Sequence, residues 1–134
     1  MSKELCYLAT AGVGTELIAP QVVAASVTQG NGPIVGPILT KGDIMVVLHC
    51  DLASQGTNPT LDVSIYESAD GSTGWTLVPG SAFTRVTGAA GGGVQIKALN
   101  AAPRLGYLTA KLVLGGTATP HFAASAAVIC LPPP

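Results

Sequence analysis

The chain has 134 residues, of which 48% are apolar and only 10% charged, with a net charge of −1. An average soluble protein carries about 25% charged residues; here six basic and seven acidic side chains must wet a whole domain. This balance excludes a disordered chain and a basic nucleic-acid binder, because Lys3, Lys41, Arg85, Lys97, Arg104 and Lys111 stand singly.

Taken in chain order, residues 1–15 read as an N-terminal arm. Leu5, Cys6, Tyr7 and Leu8 lie among small residues there, with room for a helical turn over Glu4–Thr10. Beyond the arm, 17 glycines and 10 prolines would break any helix of normal length. The pattern from 16 to 131 is that of short strands with frequent turns, an all-β sandwich or barrel. Gln21–Thr28 and Ile34–Thr40 are the first predicted strands. Ile44–Leu52 is nearly all apolar and predicts a central strand buried on both faces.

Leu61–Glu67 is the clearest strand. Leu61, Val63 and Ile65 share one face, and Asp62, Ser64 and Tyr66 the other. Asp70-Gly71 is a turn signal, after which Trp75–Val78 returns as a hairpin partner. Pro79-Gly80 turns the chain again before Phe83–Val86. Gly88–Gly93 reads as a loop tip, followed by strands Val94–Leu99, Tyr107–Leu114 and Phe122–Leu131. The last of these holds Ala123, Ala124, Ala126 and Ala127, small on both faces, so another layer could approach closely. Residues 132–134 form a proline tail that cannot continue a ladder.

No run of 18 apolar residues is free of interruption, which argues against a transmembrane helix. One Trp, three Tyr and two Phe are too few for the aromatic girdles of a membrane barrel. The start of the chain has no apolar core of a secretory signal. The odd count of cysteines, Cys6, Cys50 and Cys130, argues against a closed disulfide framework. Synthesis in a reducing cytoplasm is the simplest expectation. Asn58-Pro59-Thr60 has proline in the forbidden position of a glycosylation site.

Convergent chemistry is hard to find. His49-Cys50-Asp51 is the one local candidate for a metal or a nucleophile, but His49 and Cys50 point to opposite faces of a strand. A remote pairing of His49 with His121 is the less favoured reading. Gly12-Val13-Gly14 and Gly91-Gly92-Gly93 lack the strand-then-helix setting of a phosphate-binding loop. Asp62 and Glu67 fall on opposite faces, and most acids read as solvated turn and face residues. Trp75 is either a sugar-stacking platform or, in the preferred reading, a packing residue beside Phe83. No catalytic, cofactor or metal residue is expected, and the chain is not expected to be an enzyme.

The stretch Asp62-Val63, Glu67-Ser68, Asp70-Gly71, Trp75, Val78-Pro79-Gly80, Phe83 and Tyr107-Leu108, with its Ala/Ser/Val-rich final strand, resembles small structural proteins of tailed-bacteriophage heads. The likeness covers roughly residues 60 to 130. It implies an antiparallel β-sandwich of jelly-roll type with an extended N-terminal arm and a short C-terminal tail. It also implies a capsid decoration or cement protein on the head exterior. The implied partners are the major capsid protein and further copies of the chain, as a homotrimer; nucleic acid and membrane are not expected. Leu5, Tyr7 and Leu8 of the arm and Leu131, Pro132, Pro133 and Pro134 of the tail are then the candidate contacts. Alternatives are a tail-tube, head-completion or fibre-associated protein, and a carbohydrate-binding module with Trp75 and Tyr66 as platforms.

Overall fold

The computed structural model describes residues 16–38, 44–51, 55–99 and 105–130. They form an all-β, antiparallel sheet that curls into a half-barrel: β1 (Glu16–Val23), β2 (Ile34–Val35), β3 (Ile44–Cys50), β4 (Gln55–Ser68), β5 (Thr76–Leu77), β6 (Val86–Thr87), β7 (Gly93–Leu99) and β8 (Tyr107–Cys130). The N-terminal arm, the helical turn at Glu4–Thr10 and the proline tail lie outside the described residues.

The spine is β8, a single strand of 24 residues where the sequence predicts two. Along one edge it pairs first with β3, from Ile44↔Cys130 to Cys50↔Ala124, and then with β4, ending at Ser68↔Tyr107. Between them the Asp51 N–H donates to the Ala123 carbonyl at 2.9 Å. The opposite edge carries β1 beside the C-terminal half of β8 and β2 beside its N-terminal half. Val27 and Leu112 exchange both backbone hydrogen bonds between these two stretches, at 2.9 Å each. β7 extends the sheet beyond β3, and β5 and β6 pair with β4.

The two edges of β8 are not matched in length. Residues 112–122 of β8 separate two pairings that residues 23–27 separate on the β1 side. The surplus bows out with residues 55–60 as an exposed, two-stranded corner. Its backbone turns through left-handed conformations at Gly116, Ala118 and Thr119, opposite Gly56 and Asn58. A Cβ on Gly116 would sit 2.9 Å from the Asn58 carbonyl oxygen, so the crossing needs a residue without one. Gly115, Gly116 and Pro120 look like breaks in a sequence, which is why the spine reads as two strands.

Alternation does the rest. Leu61, Val63 and Ile65 of β4, Leu108, Ala110 and Leu112 of β8, and Phe122, Ala124, Ala126 and Val128 further along β8 all point inward. They join Ile44, Val46, Leu48 and Cys50 of β3 and Leu17, Ile18 and Val23 of β1 in one core. Each fully buried aliphatic or aromatic side chain contributes about 1.5–3 kcal/mol relative to exposure. The segment after β5 hangs on the edge of β4, with Val78 N–H donating to Ile65 O and Phe83 N–H to Val63 O. Ser81, also buried, bonds both backbone groups of Ile65 through its hydroxyl.

One side chain ties the two ends of the curl. Gln95 of β7 accepts from the Thr84 N–H at 2.9 Å and donates to the Thr84 carbonyl at 3.0 Å. The same amide donates to Gly91 O. It thus pairs with Thr84 as a neighbouring strand would.

Among the described residues Phe122 is the largest fully buried side chain. Phe122→Ala should lower unfolding free energy by about 3–5 kcal/mol, read as a lower urea midpoint. Gln95→Leu should cost about 1 kcal/mol, because the Thr84 groups it leaves are open to water.

Candidate interaction face

The apolar run of β3 is not buried on both faces. Ile44, Val46, Leu48 and Cys50 are buried, but Met45 and Val47 are half-exposed and His49 is exposed. They belong to the outer face of the half-sheet formed by β8, β3 and β7. The register sets this face out in three rows. Ile129, Met45 and Ala98 form the first, Ala127, Val47 and Ile96 the second, Ser125, His49 and Val94 the third. Val94 is 61% exposed, Ile96 56% and Ile129 41%. On these three strands the face holds no carboxylate, ammonium or guanidinium group; Lys97 alternates to the other side of β7. The small residues of β8 that the sequence suggests lie under a further layer are thus exposed or half-exposed on this side.

At the His49 end the face deepens into an open depression of about 770 Å³. Pro20, Gln21 and Val22 of β1 wall it on one side, His49, Ala123 and Ser125 lie along it, and Asp51, just beyond β3, adds a carboxylate to its lining. Val94, Ile96 and Ile129 stand exposed together on a domain with few charges, which makes this face the candidate contact surface among the described residues.

The other candidates from the sequence fall elsewhere. Leu5, Tyr7, Leu8, Leu131, Pro132, Pro133 and Pro134 lie outside the described residues. His49 and Cys50 do point to opposite faces. Burial, and secondarily the charge of Asp51, pushes the Cys50 thiol up to about 11, so it is protonated and unreactive at neutral pH. His121 is half-buried at the corner, its Nδ1 3.1 Å from the Thr119 carbonyl. Among the described residues no group of three or more His, Cys, Asp and Glu side chains could hold a metal ion.

Trp75 is half-buried, and its indole lies so close to Gly30 that a Cβ there would be 2.5 Å from Nε1. That contact accounts for the tryptophan by packing, although against a turn rather than in the core. The Tyr66 ring carries the Lys111 ammonium 5.7 Å from its centre. Asp62 and Arg85 form an exposed bidentate pair, with closest contacts of 2.8 and 3.0 Å. Glu67 departs from the expectation of solvated acids: it is only 8% exposed and accepts from the Leu105 N–H at 3.1 Å. Its odd number, in step with Leu61, Val63 and Ile65, is the signal that places it inward.

The Asp70-Gly71 turn is built as an acidic cap. Asp70 Oδ1 accepts from the N–H groups of Ser72 and Thr73 at 2.9 and 2.8 Å, and from the Ser68 hydroxyl. Oδ2 accepts from the Thr73 hydroxyl. Backbone bonds from Thr73 and Ser72, then the Thr73 and Ser68 hydroxyls, hold this carboxyl well below the usual carboxylate range. Gly71 has φ +75°, and a Cβ on it would touch the Tyr107 ring, so the turn is seated on β8.

No protein-family model matches the chain, and no match was found among curated proteins.

Two outcomes follow from these groups. A carboxyl whose folded pKa is depressed contributes stability above its unfolded value, near 3.9, and loses it as pH falls toward the folded value. Asp70→Asn should therefore lower Tm at pH 6, and the gap to wild type should narrow steadily below about pH 4. Cys50 should resist alkylation by iodoacetamide in the folded protein at neutral pH and react on denaturation, as read by mass spectrometry of the peptide.

Proposed function

We propose that this chain is a virion structural protein, a decoration or cement protein of jelly-roll type bound to the outer surface of a tailed-phage head. The observation that carries the reading is the apolar outer face of β8, β3 and β7, with Val94, Ile96 and Ile129 exposed on it. A domain with a tenth of its residues charged leaves its most apolar sheet face uncovered by its own described residues, which supports a protein that works with another molecule against it.

The head-protein resemblance supplies the class of assembly. Its residues form one neighbourhood in the fold: Val63, Val78, Phe83 and Leu108 are core, and the Asp70 turn rests on Tyr107. In this reading the arm, through Leu5, Tyr7 and Leu8, and the tail, through Leu131–Pro134, contact neighbouring copies of the major capsid protein. The curled sheet bridges the joint between them. Cementing of this kind is interface physics: about 25 cal/mol for each Å² of apolar surface removed from water, multiplied over many equivalent copies. The carbohydrate reading loses support, because the Trp75 indole is engaged with Gly30 and the Tyr66 ring with Lys111.

Heads assembled without this chain, mixed with the purified protein, should take it up to a saturable copy number in the hundreds on a density gradient. Deleting residues 1–15 should leave a folded domain that no longer co-sediments. Uptake of six or twelve copies would assign the chain to the neck or tail, and no saturable uptake would overturn the proposal.

A further inference from the structure

We infer that the Asn31-Gly32 step is a site of spontaneous covalent modification, where the folded chain converts a neutral amide into a carboxylate on the rim of an apolar groove.

Asparagine is among the thermolabile side chains. Its weak point is attack on the side-chain carbonyl carbon by the next backbone nitrogen. A following glycine favours this, because without a Cβ the backbone can swing that nitrogen onto the side chain. In this sequence glycine follows an Asn or Asp twice, at Asn31-Gly32 and at Asp70-Gly71. The fold treats the two steps differently. Asp70 is held by donors from Ser68, Ser72 and Thr73, and the Gly71 N–H is bonded to Ser68 Oγ at 3.1 Å. Gly71 is also seated against the Tyr107 ring. Both parties to the attack are therefore committed elsewhere.

Asn31 lacks these restraints. Its side chain is exposed, and neither its carboxamide nor the Gly32 N–H takes part in a hydrogen bond among the described residues. Its backbone N–H donates to the Thr28 carbonyl at 3.0 Å, which closes the turn ahead of Asn31 and leaves the step after it unbonded. The turn does need glycine at 30, where a Cβ would stand 2.5 Å from the Trp75 indole nitrogen. It does not need one at 32. The Gly32 backbone lies outside the left-handed region, and a Cβ there would meet the Val27 side chain at 3.4 Å. Glycine at 32 thus removes a steric guard that the fold has room for.

In the reaction the Gly32 nitrogen bonds to Asn31 Cγ, and the Cγ–Nδ2 bond breaks. Ammonia leaves with the proton of the Gly32 amide, and a cyclic succinimide remains. Solvent water then opens either ring carbonyl, giving aspartate or isoaspartate at position 31. Asn31 lines a groove of about 390 Å³ whose buried walls include Leu17, Ile18, Val23 and Leu112. Each conversion adds one negative charge beside them, to a chain whose net charge is −1. The isoaspartate product also lengthens the backbone by a methylene just ahead of Pro33, whose carbonyl accepts from the Thr109 hydroxyl at 3.1 Å, and of β2.

Peptide mapping of the full chain after days in mildly alkaline buffer tests this. Asn31 is the sole asparagine between Lys3 and Lys41, and Asp70 falls in the tryptic peptide that ends at Arg85. The expected result is the mass gain of amide-to-acid exchange on the Asn31 peptide, with part of the product accepted by an isoaspartyl methyltransferase. The Asp70 peptide should acquire isoaspartate in urea and not in native buffer. Gly32→Ala should slow the reaction at Asn31 by at least about tenfold, with Tm unchanged. An Asn31 that keeps its amide in the folded chain but loses it in urea would overturn the inference. Gly32→Ala reacting as fast as the wild type would overturn it too.

Discussion

Every described strand is hydrogen-bonded to one strand or to a strand that is. β8 offers both edges over 24 residues, and β1, β2, β3 and β4 take their register from it. β5 and β6 are attached through β4, and β7 through β3. Because side chains alternate along a strand, this fixes which residue of every partner faces inward. The parity of β8 survives its corner: Leu112 and Phe122 are both buried, although a stretch with left-handed residues lies between them. Had the corner contained one residue more or fewer, either half of the sheet would present its core residues to water.

The curl then follows from the mismatch between the two edges. The β3–β4 side runs the full length of β8, while the β1–β2 side skips from Val23 to Val27. The unequal spacing falls at the left-handed residues Gly116, Ala118 and Thr119, where β8 departs from extended geometry between its two halves. The bend lets the inward residues of both halves contribute to one core. Gln95 completes this by bonding to Thr84, so that a side chain substitutes for a missing rung between the ends of the curl.

How much of this was legible in the sequence depended on whether the signal was local. The two-residue period over Leu61–Ile65 and Leu108–Leu114 is local, and the structure has it. The Asp70-Gly71 turn is local too, since aspartate supplies its own acceptors to the next N–H groups. The unity of β8 is not local: Gly115, Gly116 and Pro120 are punctuation unless a partner strand crosses there, and Asn58 and Pro59 are that partner. The position of the interaction face was hidden for a related reason. An apolar run such as Ile44–Cys50 reads the same whether its second face meets a layer of the same chain or a different molecule. Only the register with β7 and β8 separates the buried Val46 from the half-exposed Val47.

The same register bears on how an exposed apolar sheet can avoid uncontrolled pairing. Among the described residues β7 ends the strand order, with only the Gln95 side chain bonded to Thr84 beyond it, and a strand edge invites addition by a similar chain. Two of its side chains work against that. Gln95 is committed to Thr84 and Gly91, which crowds the approach, and Lys97 sets a charge on the inner side of the edge. An added strand would have to desolvate that ammonium. The outer face has no such guard, because Val94, Ile96 and Ala98 alternate away from both residues. Edge pairing is open-ended, whereas a contact on the face is limited by the extent of its apolar rows. The asymmetry leaves a molecule that meets this part of the sheet a guarded edge and an apolar face, and burial of apolar area favours the face.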